Sequence, residues 1–307
     1  MTDKRSINII GNILMLLSLA FIVNRIIEYQ IDFRNILSVR VSISVIISII
    51  IYALVVLTLA NIFYALIKLL SGNGISKNNA VFIYCKANLY KYLPGNVFHY
   101  IGRNQIAVHE DISHGTIAAA TIAEMLFLTL AAVILVIVFA GQYAVKWSLD
   151  NFTNKEIIMI LVFIVISSLA AIILYNFNLS VKEWVTRYTT QISHFRFAVF
   201  SKFVITYIIT FILNGAMFIV VLYGIGGGLS KNLILPVIGM YAFSWIIGFV
   251  TPGAPAGLGI REAIMSALLI GMVEGDLVIT AVVLYRIVTT LGDVTGFIIA
   301  HHVPTYN

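Results

Sequence analysis

Two passages of this sequence place an arginine at the same distance from a Pro-Gly pair. The first runs from Pro94 to Arg103 and the second from Pro252 to Arg261, nine positions in each case. Proline and glycine interrupt a helix and free backbone polar groups, which membrane proteins tolerate only beside protein or water. Interrupted helices at corresponding places in two halves of a chain point to a transporter site.

The chemistry that these passages favour is the binding of an anion. A helix that begins after Gly102 or Gly259 would present unpaired N–H groups and the positive end of its dipole. The nearby arginine would add paired donors that match a phosphate group. We predict a shared substrate site formed by Pro94, Gly95, Tyr100, Arg103, Pro252, Gly253, Gly257, Gly259, Arg261 and Glu262.

Simpler interpretations remain open for these residues. The breaks could be helix-ending turns whose arginines extend to the lipid headgroups. Glu262 could serve only to complement the positive N-terminus of its own helix. Under these interpretations the two passages would share no site.

Three further charged residues lie inside apolar segments. Glu124 falls within 116–140, and Arg286 and Asp293 lie seven positions apart in 277–300, so they share a helix face. Ionisable groups at membrane depth are costly and are by default functional candidates. Arg286 and Asp293 could form a structural ion pair. Alternatively, Arg286 could extend the anion site while Asp293 or Glu124 couples protons.

Residues for other chemistry are sparse. His99, His109 and His114 do not have the spacing of metal ligands, and the single Cys85 cannot form an internal disulfide. No nucleotide-binding loop or catalytic motif is recognisable, so the sequence predicts no catalytic residue, metal or cofactor. Enzymatic activity is therefore the less favoured expectation.

The amino-acid composition indicates that membrane-spanning helices hold these residues in place. The chain has 307 residues, of which 61% are hydrophobic and 10% charged, and its mean hydropathy is +1.02. Soluble domains carry about 25% charged residues. We therefore predict an all-α, polytopic membrane protein in which residues 1–307 form a single integral membrane domain. The net charge of +6 is scattered through loops and does not predict binding to nucleic acid.

The apolar segments predict about seven or eight spans. They fall at 7–23, 41–67, 116–140, 157–175, 203–223, 233–250, 262–273 and 277–300. Because a membrane span needs about 20 residues, segment 262–273 is predicted to be a half-helix. The two broken or re-entrant segments indicate a possible inverted repeat. An excess of Lys and Arg in alternate loops predicts a cytoplasmic N-terminus in a cell (inner) membrane.

Two connections have mixed polar and apolar composition. The stretch 68–115 is predicted to contain helices that lie at the interface or dip into the membrane. The stretch 182–202 combines Trp184 and Tyr188 with basic residues, which is typical of an interfacial amphipathic helix.

At the two Pro-Gly passages the sequence resembles the lysylphosphatidylglycerol synthase transmembrane region family, also called flippase-like domain proteins. The resemblance rests on Lys91-Tyr92-Leu93-Pro94-Gly95 with Gly102-Arg103, and on Pro252-Gly253 with Gly257 to Ala263. At position 98 a tryptophan is more usual, and Phe98 retains the aromatic ring. The resemblance implies a helical bundle that moves a lipid or lipid-linked glycan between leaflets. Because Asn307 closely follows the last predicted span, we do not expect the family's synthase activity.

Three functions follow as expectations. The leading one is lipid transport by a flippase-like protein that moves a phosphate-bearing lipid or lipid-linked glycan. The second is a membrane transferase acting on a polyprenyl-phosphate or lipid substrate. The third is a non-catalytic partner of cell-envelope polysaccharide synthesis, in which case envelope-glycan enzymes would be its partners.

Overall fold

The computed structural model describes residues 38–71, 75–93, 98–107, 112–151, 179–193, 197–251, 257 and 259–302. Throughout these ranges the regular elements are helices. The predicted spans at 7–23 and 157–175 lie outside the described residues, as do Pro94, Gly95, Pro252 and Gly253.

Five of the predicted spans lie in helices that are long and apolar enough to cross a membrane. The all-α membrane character of the described chain is thereby confirmed. These helices are α1 (Val39–Ser71), α4 (His114–Leu135), α7 (Phe197–Gly224), α8 (Ile234–Val250) and α10 (Gly275–His302). A single π-helical turn, Val136–Ala140, joins α4 to a further helix, α5 (Gly141–Asn151).

Three shorter helices surround the passages that contain the breaks. Helix α2 (Lys77–Asn88) continues into a 3₁₀ turn at Leu89–Tyr92, which precedes the first break. Helices α3 (Phe98–Ala107) and α9 (Ile260–Leu269) each follow a Pro-Gly pair in sequence and each contain ten residues. Helix α9 begins directly after Gly259, as predicted, whereas Gly102 lies within α3, so the predicted helix start after Gly102 is wrong. Helix α9 thus matches the predicted half-helix, because its length is about half of what a span requires.

Helix α1 packs against α10, α7, α2 and α4, and it has two different faces. Its contact with α10 is close because Gly292 and Gly296 lie directly against Tyr52 and Val56. Small residues permit such close approach of helices in membranes. Another face exposes a stripe of large apolar side chains at helical spacing, namely Ile43, Ile47, Ile50 and Leu54. Exposed apolar stripes of this kind suit contact with lipid.

The predicted interfacial stretch 182–202 forms two elements. Helix α6 (Leu179–Ser193) ends before the start of α7 at Phe197. The indole Nε1 of Trp184 donates to the carbonyl of Gly115 at 3.2 Å, and the Tyr188 hydroxyl lies 3.0 Å from the Thr116 hydroxyl. The aromatic side chains of α6 therefore fix the N-terminal turn of α4.

Candidate functional site

A cavity with a volume of about 180 Å³ lies among α1, α2, α3, α4, α7, α8, α9 and α10. It has room for several water molecules, because one water takes about 30 Å³ in the liquid. Its wall includes six charged residues, which are Lys91, Arg103, Glu124, Arg261, Glu262 and Arg286. Residues that flank both breaks thus meet at one cavity.

Arg103 of α3 is held by a carboxylate and by aromatic rings. Its Nη1 pairs with Glu124 Oε2 of α4, and the Tyr84 hydroxyl donates to Glu124 Oε1 at 2.7 Å. The guanidinium also lies 3.9 Å from the centre of the Tyr84 ring. Arg103 and Glu124 are each only 2% exposed. Their charges therefore compensate each other away from solvent.

Asp293 of α10 is the acceptor for three groups from the segment before the first break. Its carboxylate accepts from Asn88 Nδ2 at 2.6 Å and from the Tyr92 hydroxyl at 2.5 Å. The Lys91 ammonium lies 2.7 Å from Oδ2. Asp293 is 1% exposed, so these partners replace the water that a carboxylate would otherwise bind.

Glu262 of α9 has two partners. One carboxylate oxygen accepts from the Gly259 N–H at 2.7 Å, and the other lies 3.5 Å from Arg286 Nη1 of α10. Gly259 adopts a φ of +83°, a conformation that glycine enters without a steric penalty. The glutamate therefore caps its own helix and joins it to α10.

Arg261 differs from the other cations of the cavity. Among the described residues it forms no ion pair, and its buried Nε–H has no hydrogen-bond partner. Its side chain lies against the backbone of two glycines, since a Cβ at Gly248 would be 2.9 Å from Nε and one at Gly257 would be 2.6 Å away. Its guanidinium is 5.6 Å from the Trp245 ring centre.

The charges of the described site do not balance. Lys91, Arg103 and Arg286 each have a carboxylate partner, in Asp293, Glu124 and Glu262 respectively. Within the described part of the chain this leaves the positive charge of Arg261 uncompensated. Arg261 is half-buried and its Nε is fully buried. A cation in this position favours the binding of an anion, because a charge withdrawn from water without a counter-charge is energetically costly.

A neutral polar cluster completes the wall between α7, α8 and α10. The Asn214 side-chain oxygen accepts from the Tyr285 hydroxyl at 2.9 Å and from the Tyr241 hydroxyl at 3.3 Å. The Asn214 amide nitrogen donates to the Thr210 carbonyl at 2.7 Å. These bonds fix the side chains next to Arg261 and reduce the cost of burying their polar atoms.

The structure brings together most of the predicted site residues that it describes. Gly257 and Gly259 precede α9, and Asp293 forms an ion pair with Lys91. The cavity is lined by Tyr100, Arg103, Glu124, Arg261, Glu262 and Arg286. An ion pair between Arg286 and Asp293, one of the two alternatives left open by the sequence, does not form, because each has a partner in another element. The sequence did not predict several partners of the two buried acids, namely Lys91 and Asn88 for Asp293 and Tyr84 for Glu124. Lys91 and Tyr92 stand in the motif Lys91 to Gly95, just before the first passage, and that position was the available signal.

The described chain has helices that suit a membrane, and it has a charged internal cavity. These two features define it as a polytopic helical membrane protein with a buried polar site. No protein-family model, curated protein or solved structure matches the chain. Within the described ranges, no group of three His, Cys, Asp or Glu residues is arranged to hold a metal ion.

Proposed function

We propose that this protein moves a phosphate-bearing lipid between membrane leaflets and binds the phosphate at Arg261. The observation that carries the proposal is the uncompensated charge of Arg261 beside an internal cavity. Arginine presents several fixed donors, and its bonds to phosphate are stronger than bonds between neutral groups. A ligand with a phosphate group would therefore supply the missing counter-charge.

A similar order of elements around the two breaks supports a transport role. In each case a helix is followed in sequence by a Pro-Gly pair, a ten-residue helix, a short link and a long apolar helix. In each case an ion pair joins the short helix to the long one, Arg103 to Glu124 in the first and Glu262 to Arg286 in the second. We interpret this as an internal repeat, which in transporters encloses a central site.

The resemblance to the flippase-like domain family favours a lipid or lipid-linked glycan as the substrate. A free polar anion would need only the cavity, whereas a lipid must also keep its chains in the bilayer. The exposed apolar stripe of α1 is one of several such surfaces beside the described bundle. We place the headgroup in the cavity and the acyl or prenyl chains outside it.

The test is leaflet exchange in vesicles that contain the purified full chain. A panel of phosphate lipids labelled on the hydrophobic chain would include phosphatidylglycerol, phosphatidic acid and a polyprenyl phosphate. A membrane-impermeant reductant quenches the label in the outer leaflet only. We expect quenching beyond the outer-leaflet fraction for at least one lipid, with no such excess in protein-free vesicles.

The same vesicles separate transport from chemistry. We expect mass spectrometry of the recovered lipid to show an unchanged mass. If no member of the panel moved, the proposal would be contradicted. If a lipid were covalently altered, a transferase would be the better description.

A further inference from the structure

His99 is a buried residue of the cavity whose Nδ1 has no hydrogen-bond partner among the described residues. It is the second residue of α3, it is 8% exposed, and it lines the cavity that Arg261 also lines. Among the described residues its buried Nδ1 has no hydrogen-bond partner, and its ring lies against the neighbouring Tyr100 ring, with 3.7 Å between centres. A buried polar atom without a partner is unusual and calls for an explanation.

The surroundings of His99 keep its imidazole neutral. Burial, together with the nearby positive charges of Arg103, Lys91 and Arg261, holds the pKa of His99 well below its ordinary value. No described carboxylate forms an ion pair with it. A neutral imidazole has one donor nitrogen and one acceptor nitrogen.

The acceptor nitrogen gives His99 a role that the cations cannot fill. Lysine and arginine side chains are donors only, so they bind the oxygens of a phosphate but accept nothing from a ligand. His99 would accept a hydrogen bond from a donor group of the same ligand. An ammonium donor would be repelled by the neighbouring cations, whereas a hydroxyl carries no charge and would not be.

We infer that His99 accepts a hydrogen bond from a headgroup hydroxyl of the lipid whose phosphate binds at Arg261. The inference rests on the proposed transport function and narrows its substrate to phosphodiesters with a hydroxylated headgroup. Glycerol and sugar headgroups share this chemistry. His99 is therefore a specificity-determining residue that acts on headgroup choice rather than on phosphate binding.

Two lipids of equal charge test this inference. Phosphatidylglycerol has headgroup hydroxyls, whereas phosphatidylmethanol has the same phosphodiester charge and none. We expect the wild-type protein to exchange phosphatidylglycerol about tenfold faster, since a buried group left without its partner costs about that factor. Including phosphatidylinositol in the same assay shows whether a ring polyol or glycerol is preferred.

Three variants make the comparison specific. His99→Phe should bring the ratio of the two rates close to one. His99→Gln keeps an acceptor and should retain part of the preference, and His302→Phe at the exposed end of α10 should leave the ratio unchanged. Two results would overturn the inference but leave the proposed function intact. One is an equal exchange rate for the two lipids in the wild type, and the other is an unchanged ratio of the rates in a folded His99→Phe protein. A wild-type protein that moved neither of these two lipids but exchanged another phosphate lipid would also overturn the inference alone. A wild-type protein that moved no phosphate lipid at all would overturn the proposed function, and the inference with it.

Discussion

Arg286 forms its ion pair with Glu262, whose carboxylate lies 3.5 Å away on α9. The same carboxylate accepts a hydrogen bond from the Gly259 N–H at the start of that helix. One side chain therefore holds the short helix after the second break in two ways. Because Arg261 is adjacent in sequence, the position of the uncompensated cation depends on this connection.

The two roles of Glu262 are separable by substitution. Glu262→Gln keeps an oxygen that accepts from Gly259 but removes the charge, whereas Glu262→Ala removes both. We expect the alanine variant to lose about 1 kcal/mol more of unfolding free energy than the glutamine variant, because that is the typical contribution of a helix cap. Unfolding in detergent measures the difference. Equal losses would show that the capping bond contributes nothing.

Asp293 should be essential to stability. Asp293→Asn leaves the Lys91 ammonium partly buried without a counter-charge, which we expect to cost about 3–5 kcal/mol of unfolding free energy. The double change Lys91→Met with Asp293→Asn removes both charges and should recover most of that loss. Asp276→Asn, at an exposed position of the same helix, is the matched control and should have little effect. An Asp293→Asn protein as stable as the control would contradict this account.

Arg103 and Arg261 should respond differently to the same substitution. Arg103→Gln leaves Glu124 buried without its partner, so we expect a loss of about 3–5 kcal/mol in unfolding free energy. Arg261→Gln removes a charge that has no partner among the described residues, so the unfolding free energy should stay the same or rise. Parallel unfolding curves in detergent measure both. If Arg261→Gln were the more damaging change, Arg261 would have a structural role.

Gly248 should be required for the position of Arg261. A Cβ at Gly248 would press on the Arg261 side chain, with 2.9 Å between that Cβ and Nε. We therefore expect Gly248→Ala to slow lipid exchange several-fold and to lower the unfolding free energy, because the new Cβ would also meet Arg261 Cγ, which is too near the backbone to move aside freely. Gly141→Ala is the control, since its nearest neighbour would be an ordinary 3.8 Å away and alanine favours a helix. An unaltered exchange rate in Gly248→Ala would contradict the proposed position of Arg261.

Much of this fold could be predicted from sequence because membrane spans have a local signal. The apolar segments 41–67, 203–223 and 277–300 each lie within one long helix, and 116–140 and 233–250 lie within the continuous helical stretches His114–Asp150 and Lys231–Val250. The half-helix α9 was predictable because Gly259 precedes it and segment 262–273 is too short to span. The π turn at Val136–Ala140 was not predictable, since uninterrupted apolar sequence carries no local mark of it.

The partners of the buried charges could not be predicted, because they are set by packing between distant elements. Arg286 and Asp293 lie seven residues apart on one helix, and that spacing made an ion pair between them plausible. In the structure Asp293 instead contacts Lys91, and Arg286 contacts Glu262. The unpartnered nitrogen of His99 was equally unpredictable, because a histidine near an aromatic residue has the same sequence pattern whether or not it faces a cavity.

The most direct test of the central claim is the initial rate of leaflet exchange for a phosphate-bearing lipid in wild-type and Arg261→Gln vesicles. Arg40→Gln, at an exposed position of α1, controls for the general loss of one arginine. We predict that Arg261→Gln lowers the rate by about tenfold or more, as expected for the loss of a charged hydrogen bond, while Arg40→Gln exchanges lipid at the wild-type rate. A correctly folded Arg261→Gln protein that exchanges lipid as fast as the wild type would contradict the account.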